Sequence, residues 1–258
     1  MDGLQPDPAM TRMQSWIDQW EATGDHRLIF LRCYRLMTGN MLAAIEQQEF
    51  HDSAWVGRLL HGFADYYFNA LEAYQAGRAI KESGAGITHD SDPSHPYAMP
   101  LVWQQVHDAA GQPGTLAIQN LLLGVNAHIN YDLVLALVDI LEAEWDGLPE
   151  SQRTLRYEDH CHVNHVIGET IDSVQDQVLE PAMPVMDIFD KLMGPVDELL
   201  ISRLLAHWRE SVWHNAVRLL EAREPGERAR LVKKYEAGVL ELGEIIQMRG
   251  FHPQRQDT

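Results

Sequence analysis

Gly124-Val125-Asn126-Ala127-His128-Ile129-Asn130-Tyr131-Asp132-Leu133 lies inside a nearly all-aliphatic run from Leu116 to Leu141. No proline interrupts it, and a run of that length reads as a helix buried on most sides. Yet its centre carries Asn, His, Asn and Asp. A buried polar group without a partner costs about 1–3 kcal/mol, and a charged one more. Each must therefore meet another helix, a water, a metal or a substrate. The expected fold is an all-α, single-domain multi-helix bundle around a buried central helix over about 115–144.

Helical spacing continues on both sides, with no alternating strand pattern. Helices are predicted over about 8–21, 25–48, 52–79, 99–110, 155–179, 196–221 and 225–248. Gly24 ends the first and Asp25 reads as the N-cap of the second. Gly84-Ala85-Gly86, Gly111-Gln112-Pro113-Gly114 and Gly147-Leu148-Pro149 read as loops, and Pro181 and Pro184 as breakers. No linker splits the chain, so residues 1–258 read as one helical domain with frayed ends over 1–7 and 249–258.

The formal charge is −18, from 38 acidic and 20 basic residues. That balance argues against a nucleic-acid partner. The start of the chain has no basic and apolar leader pattern. The central run is interrupted by Asn and Asp, which makes it a poor membrane span. Cys33 and Cys161 form neither a disulfide framework nor a Cys-x-x-Cys pair, so a cytoplasmic, reducing setting is expected.

A rotation of 100° per residue sorts the polar groups. In the third helix Arg58, His61, Asp65, Asn69 and Glu72 form a solvated stripe opposite Leu59, Leu60, Phe63, Tyr67 and Ala70. In the helix after Leu155, His162, His165, Glu169, Asp172 and Asp176 face outward. Asp159, His160 and Asn164 fall within or beside the apolar arc, as a buried polar cluster would. In the helix from Val196, Leu204, Leu205 and Trp208 belong to the apolar face, Asn215 sits in its arc and Arg209 at its edge.

The central helix carries two stripes on nearly opposite sides. Asn126 and Asn130 share one, with Gln119; His128 and Asp132 share the other, with Asp139 further on. They cannot all ligate one ion. The i,i+4 spacing lets His128 and Asp132 meet one metal, or lets Asp132 hold one tautomer of His128 as a general base. It also fits a paired hydrogen bond that serves structure alone.

The segment Leu121-Leu122-Leu123-Gly124-x-Asn126-Ala127-His128-Ile129-Asn130-x-Asp132-Leu133 resembles the signature of a large bacterial family known only as a domain of unknown function. Phe63-Ala64-Asp65-Tyr66-Tyr67-Phe68-Asn69-Ala70-Leu71 fits upstream. Asp159, Val163-Asn164, Ile171-Asp172 and the helix of Arg209 and Trp213 fit downstream. The resemblance runs from about Trp55 to Leu220, and His160-Cys161-His162 departs from it. It implies an all-helical domain and brings no activity. A second likeness, to the zinc-dependent phospholipase C and single-strand nuclease fold, rests on His128-x-x-x-Asp132 and His165-x-x-x-Glu169. That fold's N-terminal Trp is replaced here by Met1-Asp2.

The expectation is an enzyme acting on a small organic molecule in a buried polar pocket. His128, Asp132 and Asp159 would be catalytic, and Asn126, Asn130, Asn164, Arg209 and Asn215 would bind substrate. With a divalent metal (zinc, iron or manganese) on His128, Asp132 and His160, the chemistry would be hydrolysis by an activated water. With no cofactor it would be acid–base work such as a cyclisation, elimination or isomerisation. The alternative is a non-catalytic binding or scaffolding protein. A homodimer is compatible with each reading. No serine elbow, phosphate loop or dinucleotide fingerprint is present.

Overall fold

The computed structural model describes residues 6–82, 99–179 and 198–248. Among them there are only helices and turns. They are α1 Pro8–Thr23, α2 Leu28–Glu46, α3 Ser53–Glu82, α4 Leu101–Ala110, α5 Ala117–Ala127, α6 Leu133–Glu142, α7 Glu150–Val174, α8 Glu198–Glu221 and α9 Pro225–Met248. Pro181, Pro184 and the loop through Gly84 lie outside the described residues.

Local chemistry sets several ends. The Asp7 carboxylate accepts the N–H groups of Ala9 and Met10 and caps α1, which stops at Gly24 with φ 66°, a left-handed turn that suits glycine. Asp25 bonds both the backbone N–H and the guanidinium of Arg27, steering the chain into α2. The second helix ends at Glu46 rather than 48, because Gln48 turns left-handed at φ 60°.

The central helix is not one regular α-helix. Between α5 and α6, residues His128–Asp132 form a π-helical turn, closed by the Leu133 N–H on the His128 carbonyl. A wider turn shifts the phase of every later residue in the helix, and such turns recur at functional sites. Asp139, which a regular wheel places in line with His128 and Asp132, is exposed and accepts the Tyr66 hydroxyl at 2.6 Å.

Helices pack around this element on every side. α2, α4 and α9 lie on α5; α3, α8 and α9 touch the π turn; α3 and α8 cover α6. Two apolar clusters share the central helix. One takes Leu123 and Ala127 with Trp20, Leu31, Tyr67 and Trp103. The other takes Leu133, Leu137 and Leu141 with Trp55, Trp213 and Leu219. The π turn sits where one hands over to the other. On α8, Leu204 departs from the expected apolar face and is 42 % exposed.

Gly124 allows a close approach between α5 and α2. A Cβ there would lie 2.4 Å from Phe30 Cδ2, so α2 could not seat its Phe30 against a larger residue. By length and composition Leu28–Glu46 and Ala117–Glu142 could each cross a membrane, but 67 % of the second's most apolar window is buried inside this fold, as in a core helix.

Candidate functional site

His128 and Asp132 are both buried, and His128 Nδ1 lies 2.9 Å from Asp132 Oδ2. The Trp103 indole N–H reaches the same carboxylate, 3.1 Å from Oδ1 and 2.9 Å from Oδ2. His128 stacks flat on Phe63, centroids 3.6 Å apart, and meets the edge of Tyr34 at 4.4 Å. Nδ1 is thus bound and the ring clamped, while Nε2 has no hydrogen-bond partner.

That residue lines an apolar cavity of about 160 Å³ formed by α2, α3, the central helix, α7 and α8. Its walls are apolar, including Met37, Met41, Leu59 and Phe63. A few polar groups share them. The Tyr34 and Thr38 hydroxyls lie near each other, buried and without a hydrogen bond of ordinary geometry. Cys33 is there too, its thiol pushed up to about 12 by burial, which leaves it a poor nucleophile at neutral pH. Arg209 is the fourth polar residue of the lining.

Burial pulls His128 well below the ordinary imidazole range. It pushes Asp132 well above the carboxylate range, against the Trp103 N–H. Tyr34 is raised by burial and then by the nearby Asp132 charge. These directions share a cause: the site disfavours net charge. With Asp132 ionised and His128 neutral the pair carries one buried negative charge. A proton arriving at Nε2 removes it, because the Nδ1 proton can move to Asp132. Burial therefore opposes protonation of a lone imidazole but favours proton uptake by the pair.

Arg209 is 5 % exposed. Its Nε donates to Asn164 Oδ1 at 2.8 Å and its Nη2 to the His160 carbonyl at 2.7 Å, with His160 Nδ1 at 3.3 Å. His160 Nε2 donates in return to the Arg209 carbonyl at 2.9 Å. Burial, then the Arg209 charge, keeps His160 neutral, and burial lowers Arg209 to about 10. These three residues form one knot between α7 and α8.

The expected residues therefore separate by task. His128 and Arg209 reach the cavity. Asp132 holds His128; Asn164 and His160 hold Arg209. Asp159 is elsewhere, accepting the backbone N–H groups of His51 and Asp52 just before α3. Both of its oxygens thus serve a helix start, which removes it from the catalytic set. Asn126 donates to the Val239 carbonyl on α9 and accepts from Asn130, which ties the central helix to α9; neither amide lines the cavity. Asn215 is half-buried on α8 and does not line the cavity. The metal set of His128, Asp132 and His160 is not assembled: both His160 nitrogens are engaged by Arg209, and Asp132 is engaged by Trp103 and His128. Among the described residues no three His, Cys, Asp or Glu side chains converge. His165 and Glu169 pair with each other in solvent, 62 % and 67 % exposed.

Sequence reasoning missed Tyr34, Thr38, Phe63 and Trp103. Phe30, Tyr34 and Thr38 recur at i,i+4 on α2, a stripe that its periodicity could have exposed. Nothing in the sequence ties Trp103 to Asp132. A second, more polar cavity of about 310 Å³ lies beside Arg27, Tyr74, Arg78 and His107. His107 stacks against Trp103, centroids 5.6 Å apart, and both of its nitrogens lack partners.

The model of the family of unknown function DUF5995 matches residues 7–85 and 88–249. The chain belongs to that family. Beyond DUF5995, no curated protein and no solved structure matches the chain.

Proposed function

We propose that this chain is an enzyme that binds a small, largely apolar molecule beside His128 and moves a proton on it with the His128–Asp132 pair. The observation that carries this reading is that His128 lines an apolar cavity with its Nε2 buried and unpartnered while Asp132 holds Nδ1. Nε2 is the pair's one open position. It takes a proton from the substrate, or from a water that attacks it, and returns it later in the cycle. The Tyr34 and Thr38 hydroxyls can hydrogen-bond a carbonyl or alkoxide oxygen in the same space. A cyclisation, elimination, isomerisation or base-assisted hydrolysis meets these conditions. The low cysteine count keeps a cytoplasmic setting as part of the reading.

A metal-dependent hydrolase would need a further ligand beside His128 and Asp132, and the donors among the described residues do not supply one, so no metal enters the proposal. The competing reading is a non-catalytic carrier of an apolar ligand, favoured by the nearly hydrocarbon walls.

A panel of small apolar esters, lactones, epoxides and enones, assayed with wild type and His128→Gln, separates the two. Turnover of at least one member, falling roughly 10²–10⁴-fold in His128→Gln, supports the enzyme. Tight binding of panel members with no turnover supports the carrier. A stoichiometric transition metal, lost in both His128→Ala and Asp132→Ala, overturns the metal-free chemistry.

A further inference from the structure

Arg209 is a buried cation that pairs with no carboxylate among the described residues. Among the described residues its hydrogen bonds go from Nε to the Asn164 amide oxygen and from Nη2 to the His160 carbonyl and the neutral His160 ring, and none involves Nη1. Among the described residues no carboxylate forms an ion pair with it. An arginine placed in this way is expensive to keep unless something anionic arrives. Asn164 and His160 fix the guanidinium plane, so the fork is oriented before any ligand binds. Arg209 and His128 both line the same cavity.

We propose that the cavity takes an apolar monocarboxylic acid, with its carboxylate on the Arg209 guanidinium and its hydrocarbon body among Met37, Met41, Leu59 and Phe63. The proposal rests on the reading of this cavity as the site of His128 chemistry, and it names the substrate's chemical class. One negative charge matches one guanidinium that meets no carboxylate among the described residues. A dianionic phosphate would leave a second charge against hydrocarbon. A volume of about 160 Å³ is close to that of cavities, on the order of 150 Å³, that admit benzene, so the body of an acid of about six carbons has room there. The apolar body brings carbon atoms of the acid beneath His128, which stacks on Phe63.

Calorimetric titration of the full chain with matched pairs tests this: hexanoate against 1-hexanol, and phenylacetate against 2-phenylethanol. The acids are expected to bind at least tenfold tighter than their alcohols. Arg209→Met is expected to erase that preference while keeping the affinity for the alcohols, and Arg209→Lys to retain part of it. Equal binding of acid and alcohol by wild type overturns the proposal and leaves the His128 reading standing. A preference that survives in a folded Arg209→Met protein, checked by circular dichroism, overturns it as well. Binding of neither member overturns both readings. If Arg209→Met does not fold, the wild-type pairs and Arg209→Lys decide. Acid preference retained in a His128→Gln protein that has lost turnover supports both.

Discussion

Asp132 Oδ2 sits 2.9 Å from His128 Nδ1 across the π-helical turn that the two residues bound, and the same carboxylate takes the Trp103 indole N–H. One buried acceptor thus serves two buried donors from two helices.

Asp132→Ala should therefore cost more than an ordinary truncation. It strands the Trp103 N–H and His128 Nδ1 together, a loss of about 2–5 kcal/mol in chemical denaturation. Asp132→Asn should behave differently. Its oxygen can accept from Trp103 and its amide can donate to Nδ1, so every bond is kept and the melting temperature stays within a few degrees of wild type. That arrangement leaves the imidazole proton permanently on Nε2. Turnover should fall as far as in His128→Gln, roughly 10²–10⁴-fold. An Asp132→Asn enzyme as active as wild type would refute proton transfer through the pair.

The central helix was legible in the sequence because a long aliphatic run has few other folds open to it, and the opposed stripes were legible because the period is local. Asn126 bonds to α9, whereas His128 stacks on Phe63 of α3. Assignment across helices lay beyond reach. Asp159 and His160 are neighbours in a buried arc, yet one caps α3 and the other braces Arg209. A wheel reports depth and says nothing of which helix stands opposite. The π turn was hidden as well, since nothing in His128-Ile129-Asn130-Tyr131-Asp132 departs from helical composition.

The separation of Asp159 from the cavity is open to direct measurement. Asp159→Ala leaves two backbone N–H groups at the start of α3 without their acceptor. The cost should be about 1–3 kcal/mol. Turnover by the protein that remains folded should match wild type within about twofold, well short of the drop a general acid or base shows. A loss of turnover comparable to that of His128→Gln, at unchanged stability, would return Asp159 to the catalytic set.

Gly124 joins the fold to the cavity. Its substitution by Ala places a methyl 2.4 Å from Phe30 Cδ2 and 2.9 Å from Phe30 Cβ, and Phe30 lines the cavity. Gly124→Ala should lose about 1–3 kcal/mol and weaken binding of apolar ligands, because α2 must shift. Phe30→Ala removes the ring but not the Cβ. The double variant should therefore be less destabilised than the sum of the singles, a coupling that a double-mutant cycle reads. Strict additivity would mean that the two helices have room to spare.

Acid sensitivity arises from histidines buried without charge. His107 has no partner for either nitrogen, and burial lowers it from 6.5 to about 3. The unfolded chain takes up a proton below about 6.5 that the folded chain refuses until about 3. Stability from this residue is therefore full above about 6.5 and falls as the pH drops, by up to about 1.4 kcal/mol per pH unit. His160 is shifted in the same direction by burial and adds to the slope. Urea denaturation at pH 7 and pH 5 reads the effect. In His107→Leu the stability difference between the two conditions should shrink by about 2 kcal/mol, because no proton is left for the unfolded chain to gain there. An unchanged difference would show that His107 is already protonated in the fold at pH 5, with a partner for its charge.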